Sequence, residues 1–286
     1  MSTASSITAI MAAAPAAGDE PAAAGPEPAC GYSSPMRATL YVLPGSHPST
    51  AARMMLEAKG IEYRRVDLIF ILAKGILRLA GFPGVTVPAL TIDGRKVQGT
   101  RAIVRALEEI QPEPPLLPAD PERRAAVEEA ERWGDEVLQP IARRITWNVL
   151  WRDPRGRRSY LEGARLGLPI SVATMTAAPF VYLSKRFNQA DDEAVRRDVA
   201  ELPEAVEKVD GLLAGGVIGG ERLNAADFQI ATSLRLLMTL DDVRPALAGH
   251  PAAEYAMRVC PEYPGYAPLA LPAEWKRWER QVTAAA

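Results

Sequence analysis

Cysteine and histidine are scarce, with two of each in 286 residues. Cys30 and Cys260 cannot build a disulfide framework and offer no zinc spacing, so no metal is expected, and a reducing, cytoplasmic setting is the default. An excess of one charge is also missing: 33 Lys and Arg stand against 35 Asp and Glu, a net charge of -2. Binding to nucleic acid draws on a basic surface that neutralises phosphates, so nucleic acid is excluded as the main partner. Residues 1–36 contain no Lys or Arg, which removes the positive region of a signal or transit peptide. No repeat is visible. The longest uncharged run, Leu166 to Ser184, is broken by Pro169 and Pro179 and diluted by Ser and Thr. A membrane span needs about 20 apolar residues, so no span is expected, and the run reads instead as a buried helix pair lining an apolar pocket.

The chain that remains is 48% hydrophobic, enough for one or two domains with a sizeable core. Residues 1–36 read as a disordered Ala/Pro-rich tail, since Pro15, Pro21, Pro26 and Pro28 interrupt any Ala-rich helix. Met36, just before the first strand, is expected to be the start of translation. Ala38–Leu43 reads as a strand, 44–49 as a turn, and Thr50–Lys59 as a helix closed by Gly60. A second strand over Ile61–Leu68 and a helix over Phe70–Leu79 follow. Pro88 then precedes a short apolar strand, Ala89–Ile92. Asp93-Gly94 is a hairpin signal, and Gly99-Thr100 opens an amphipathic helix carrying Ile103, Leu107 and Ile110 on one face. This order gives a strand–helix–strand crossover followed by a hairpin, hence a small mixed sheet.

Residues 111–119 are a proline-rich linker, after which every pattern is helical. Asp120 caps a helix with Pro121 at its first position, and that helix runs to Val149 with a kink expected at Pro140. Further helices are expected over Asp191–Leu213 and Asn224–Leu240. Asn224 and Asp227 form the frame of a capping box with Asp in place of Glu, a role in folding. Trp133, Trp147 and Trp151 fit either a core or an acceptor pocket. The arginines between Arg143 and Arg158 read as a solvated loop cluster.

The stretch from Thr86 to Ile103, T-V-P-A-L-T-I-D-G-R-K-V-Q-G-T-R-A-I, carries the most information. A proline opening a strand lacks an N–H and marks a cis turn or a sheet edge. A threonine opening a helix leaves free N–H groups for an anion. With the flanking segments in order, the run resembles the glutathione S-transferase family over roughly residues 37–280. The resemblance implies an α/β thioredoxin-like domain at 37–110 and an all-α helical-bundle domain at 120–286 that holds the acceptor-substrate pocket. It implies glutathione, or another low-molecular-weight thiol, as co-substrate, and a small-molecule electrophile as second partner in detoxification chemistry. It also admits a homodimer.

Residue by residue, Val87 and Pro88 match the family's ligand-binding valine and cis-proline, whose main chain pairs with the thiol peptide as in strand addition. Gln98, Gly99 and Thr100 fall where relatives carry Glu/Gln-Ser. Thr100 takes the place of the serine that binds the γ-glutamyl carboxylate, while Gly99 lacks the expected side chain unless Gln98 supplies it. Arg101 is an adjacent cation for an anionic ligand. The turn Gly45-Ser46-His47-Pro48-Ser49-Thr50 resembles the active-site turn. There Ser49 is the first candidate to donate to a thiolate, Ser46 the second, and His47 a proton acceptor. Ser49 as a plain helix cap is the competing reading. No cysteine occupies the turn, which points to a serine-type conjugating enzyme. The alternative is a non-catalytic binding or interaction protein that keeps the fold and has lost the thiol site.

Overall fold

The computed structural model describes residues 37–276, except Leu168, together with Trp278. The tail at 1–36, Cys30 and Met36 lie outside the described residues. Four strands form one sheet: β1 (Ala38–Val42), β2 (Tyr63–Asp67), β3 (Ala89–Ile92) and β4 (Arg95–Gln98), in the order β2-β1-β3-β4. β1 runs parallel to β2 and antiparallel to β3, and β3–β4 is a hairpin. Helix α1 (His47–Ala58) crosses between β1 and β2, α2 (Phe70–Leu79) follows β2, and α3 (Thr100–Ile110) follows β4. This is the mixed sheet expected of a thioredoxin-like half.

The two faces of β1 separate the core. Ala38, Leu40 and Val42 are buried with Met55, Leu56, Ile103 and Leu107 of α1 and α3. Tyr41 points to the other face and meets Phe82 edge-on at 5.5 Å, against Leu77 of α2. Such alternation follows from the two-residue period of a strand.

The rest of the described chain is helical: α4 (Pro121–Trp133), α5 (Gln139–Arg152), α6 (Ile170–Met175), α7 (Ala177–Phe187), α8 (Asp192–Ala214), α9 (Ala225–Met238) and α10 (Pro251–Val259). Between α4 and α5, residues Gly134–Leu138 form a π turn in which Gln139 N donates to Gly134 O. The wider turn lies just before Pro140, which has no N–H to give. Both halves of the expected capping box are present at α9. Asp227 is fully buried and accepts from Gly219 N and Asn224 N at 2.7 and 2.8 Å, and from the Tyr255 hydroxyl at 2.9 Å.

Three expectations are corrected. The helix read from Thr50 starts at His47, because Pro48 suits its first turn, where its missing N–H costs nothing. The pair α6–α7 is only partly buried: α6 buries no residue, α7 buries Ala177, Val181 and Ser184, and Met175 and Phe187 are 83% and 70% exposed. The arginines of 143–158 are mostly engaged: Arg144 chelates Asp198 with two 2.6 Å bonds, Arg152 reaches Asp192 at 2.7 Å, and Arg157 donates to Leu150 O. No helix among the described residues is long and apolar enough to cross a membrane.

A buried ammonium ties the end of α1 to α3 and the linker. α1 ends in a Schellman turn, with Gly60 at φ 67°, Gly60 N on Glu57 O and Ile61 N on Leu56 O. Its last residue, Lys59, is 1% exposed, and its Nζ donates to Glu108 Oε1, Gln111 O and Pro112 O at 2.5, 2.6 and 3.0 Å. Glu108 in turn accepts Leu116 N at 2.9 Å. Removing one partner of a buried pair leaves the other charge uncompensated, at a cost of about 3–5 kcal/mol. Lys59→Met is therefore expected to lower the chemical-denaturation midpoint by a corresponding amount. A variant within about 1 kcal/mol of wild type, the usual worth of an exposed pair, would show the cluster to be incidental.

Candidate functional site

Sheet register decides which loops meet. Tyr41 pairs with Ala89 in the antiparallel β1–β3 ladder, so the chain leaving β1 at Val42 passes beside Pro88. The Val87–Pro88 bond is cis, and Gly99 N donates to Pro88 O at 2.9 Å. One end of the sheet thus gathers the β1–α1 turn, the Val87–Pro88 corner and the start of α3.

Two sets of backbone groups and one side-chain hydroxyl at this end have no hydrogen-bond partner among the described residues. The N–H and C=O of Val87 find no partner among the described residues. The first helical bond of α3 is Ile103 N to Gly99 O, and no side chain caps the helix, so the N–H groups of Thr100, Arg101 and Ala102 are unspent. Thr100 is 3% exposed, yet its hydroxyl makes no hydrogen bond. Unpaired backbone beside a bare helix N-terminus suits an extended, peptide-like anion.

Gly99 and Gln98 do other work than recognition through a side chain. Gly99 sits at φ 86°, a backbone region that penalises any Cβ. Gln98 holds the loop before Val87, its Oε1 accepting Gly84 N at 2.8 Å and its Nε2 donating to Thr86 O at 3.0 Å. Arg101 turns to the helical half, where it reaches Glu136 at 3.1 Å.

At the α1 turn the cap is Ser46, whose Oγ accepts Ser49 N at 3.4 Å, and the plain-cap reading of Ser49 is thereby corrected. Ser46 is half-buried and its own O–H is not used by the helix. Ser49 lies one turn in, 3% exposed, with its Oγ unpartnered. Both serines, with Thr50, border a cavity of about 560 Å³ that β2, α9 and the segment 261–264 complete. None of Val87, Pro88 or Thr100 borders it. His47 points elsewhere: it is 3% exposed, its Nε2 is unpartnered, and burial, reinforced by the nearby Arg143 guanidinium of α5, pushes its pKa well below the ordinary imidazole value. It is therefore a neutral base at physiological pH.

The tryptophans line no part of the cavity. Trp147 packs edge-on against Phe180 at 5.1 Å, and Phe180 lies 4.1 Å from Phe70 of α2, so α7 is stapled across to the sheet-bearing half. Periodicity cannot report this contact, because Phe70 and Phe180 are more than a hundred residues apart.

Residues 40–115 match the family described as the N-terminal domain of glutathione S-transferase. A probable maleylacetoacetate isomerase of Caenorhabditis elegans is 27% identical over 177 residues, covering 54% of this chain and 82% of that protein. A maleylacetoacetate isomerase of Mus musculus is 40% identical over 106 residues, 36% of this chain, and the match spans 49% of that protein. Among solved structures, the maleylacetoacetate isomerase of Anaeromyxobacter dehalogenans with glutathione bound in its active site shares the fold, with a TM-score of 0.50 at 20% identity over 85% of this chain and 94% of that one.

The depressed pKa of His47 sets a pH dependence. Below about pH 6.5, the unfolded imidazole value, the unfolded chain takes up a proton that the folded chain refuses. Stability from this residue is thus present above that pH and lost as pH falls, at up to about 1.4 kcal/mol per pH unit. His47→Gln is expected to flatten the stability profile between pH 6.5 and 5. Parallel profiles for the two proteins, measured by urea unfolding, would place the titration elsewhere.

Proposed function

We propose, from the match of residues 40–115 to the N-terminal domain of glutathione S-transferase, that the chain belongs to that family, binds glutathione or a related thiol at the sheet end and transfers it to a small electrophile. The observation that carries this reading is the set of unspent groups around the cis corner: the Val87 backbone, the bare start of α3 and the unbonded Thr100 hydroxyl. The Val87 N–H and C=O would pair with the cysteinyl unit, and the α3 N-terminus with Thr100 would take the γ-glutamyl carboxylate. The thiol then lies toward the first turn of α1.

Accessibility ranks Ser46 ahead of Ser49 as donor to the thiolate, because Ser46 is only half-buried while Ser49 is sealed in the wall. A donor at a helix N-terminus favours the charged form of the thiol. The thiolate would attack the electrophile, forming the carbon–sulfur bond as the leaving group departs. With an activated double bond the same attack can reverse after rotation, releasing the thiol and an isomerised product. The names of the curated relatives support that outcome. A thiol-binding protein without catalysis is the second reading, favoured by the engagement of Gln98 with its own loop and by the turn without cysteine.

Two measurements test this. Thr100→Val is expected to weaken glutathione binding by about 1.5–3 kcal/mol, the worth of a hydrogen bond to a charged group; unchanged affinity in calorimetry would move the carboxylate away from α3. Ser46→Ala is expected to raise the pKa of the bound thiol, each unit corresponding to about 1.4 kcal/mol, and to cut the rate at neutral pH more than the affinity. Ser49→Ala serves as the comparison. Coincident pH–rate profiles for all three proteins would favour the binding-protein reading.

A further inference from the structure

The cavity of about 560 Å³ beside α1 has a chemistry of its own. Its walls come from the end of β1, the outer face of α1, Arg65 of β2, residues 162–163, Arg235 of α9 and the segment 261–264. Its volume falls in the range of small-molecule sites.

Arg235 is the unusual member. A guanidinium carries five N–H donors. Here Nε donates to Cys260 O at 2.8 Å and Nη2 to Pro261 O at 3.1 Å, while no carboxylate among the described residues pairs with it. Two main-chain carbonyls thus fix the cation in place without neutralising it. Arg53 borders the same cavity, and its only acidic partner among the described residues is the exposed Glu57 on its own helix, at 3.1 Å. Arg65, by contrast, is already chelated by Asp67 at 2.5 and 2.8 Å. Around these polar groups stand Val42, Leu43, Pro44, Pro261 and Pro264. Glu162 and Glu262 are exposed and oppose a second negative charge.

We infer that this cavity is a binding site for an organic monocarboxylate with an apolar body. The carboxylate meets Arg235 and Arg53, and the body lies against the prolines. The site adjoins the thiol position at Ser46, which borders the cavity, but it uses none of Val87, Pro88 or Thr100, and it stands whether or not the chain transfers a thiol. A single carboxylate satisfies the two under-compensated guanidiniums, and the acidic residues disfavour dianions.

Calorimetric titration of the full chain with 2-naphthoate, its neutral amide 2-naphthamide and naphthalene-2,6-dicarboxylate tests the assignment. One-to-one binding of 2-naphthoate is expected, at least tenfold tighter than the amide and tighter than the dianion. Arg235→Gln and Arg53→Gln should each weaken it at least fivefold. Arg53 lies on an outer helix face, so its variant reports even if loss of Arg235 disturbs the segment 260–264. Thr100→Val should leave naphthoate affinity unchanged, which separates this site from the thiol seat. Equal binding of acid and amide, wild-type affinity in Arg53→Gln, or loss of naphthoate binding in Thr100→Val would each overturn the proposal.

Discussion

The antiparallel pairing of β1 with β3 is the constraint on which the rest depends. Its register puts Tyr41 against Ala89 and so carries the β1–α1 turn past Pro88. A slip of one residue would exchange the two faces of every strand involved. Leu40 and Val42 would then leave the α1–α3 core, and Tyr41 would lose Phe82. Burial on both faces therefore fixes the register, and the register assembles the candidate site from three separated segments. One direct bond, Gly99 N to Pro88 O, joins two of them.

A second constraint holds the seat against the helical half. Lys59, Glu108 and the linker carbonyls close the far ends of α1 and α3 onto one point. At their near ends, His47 faces Arg143 and Arg101 reaches Glu136. The two helices whose N-termini line the site are thus tied to each other and to the linker at their far ends, and to the helical half at their near ends. Pre-set geometry of this sort reduces the ordering that a ligand would otherwise impose on binding.

Local chemistry made much of this legible in the sequence. Gly60 as a helix stop, Asn224 and Asp227 as a capping box, and Asp93-Gly94 as a hairpin all act through neighbours in the chain, and all stand in the structure. The start of α1 was misplaced by three residues because a proline was read as a turn former where it served as a first-turn residue. Gln98 looked like a ligand contact, yet its amide is held by Gly84 and Thr86; only the folded loop reveals that. The cavity was invisible for a simpler reason. Its walls come from residues between 42 and 264, and neither periodicity nor motif spacing reports contacts over such separations. The helix pair at 170–187 misled because low charge was taken for burial, whereas much of its apolar surface stays in water.

The π turn at Gly134–Leu138 has a consequence for how this protein can change. Each residue advances an α-helix by about 100°, so the extra residue held in that turn sets the angular phase of all of α5. Loss of one residue there would leave a regular and locally more comfortable helix. It would also rotate Arg143 away from His47 and turn Asn148 from the Ala190 carbonyl it now reaches at 3.1 Å. Length in this segment is therefore held more tightly than identity. Substitutions at Glu136 or Val137 leave the phase intact, while a single deletion re-addresses every side chain downstream.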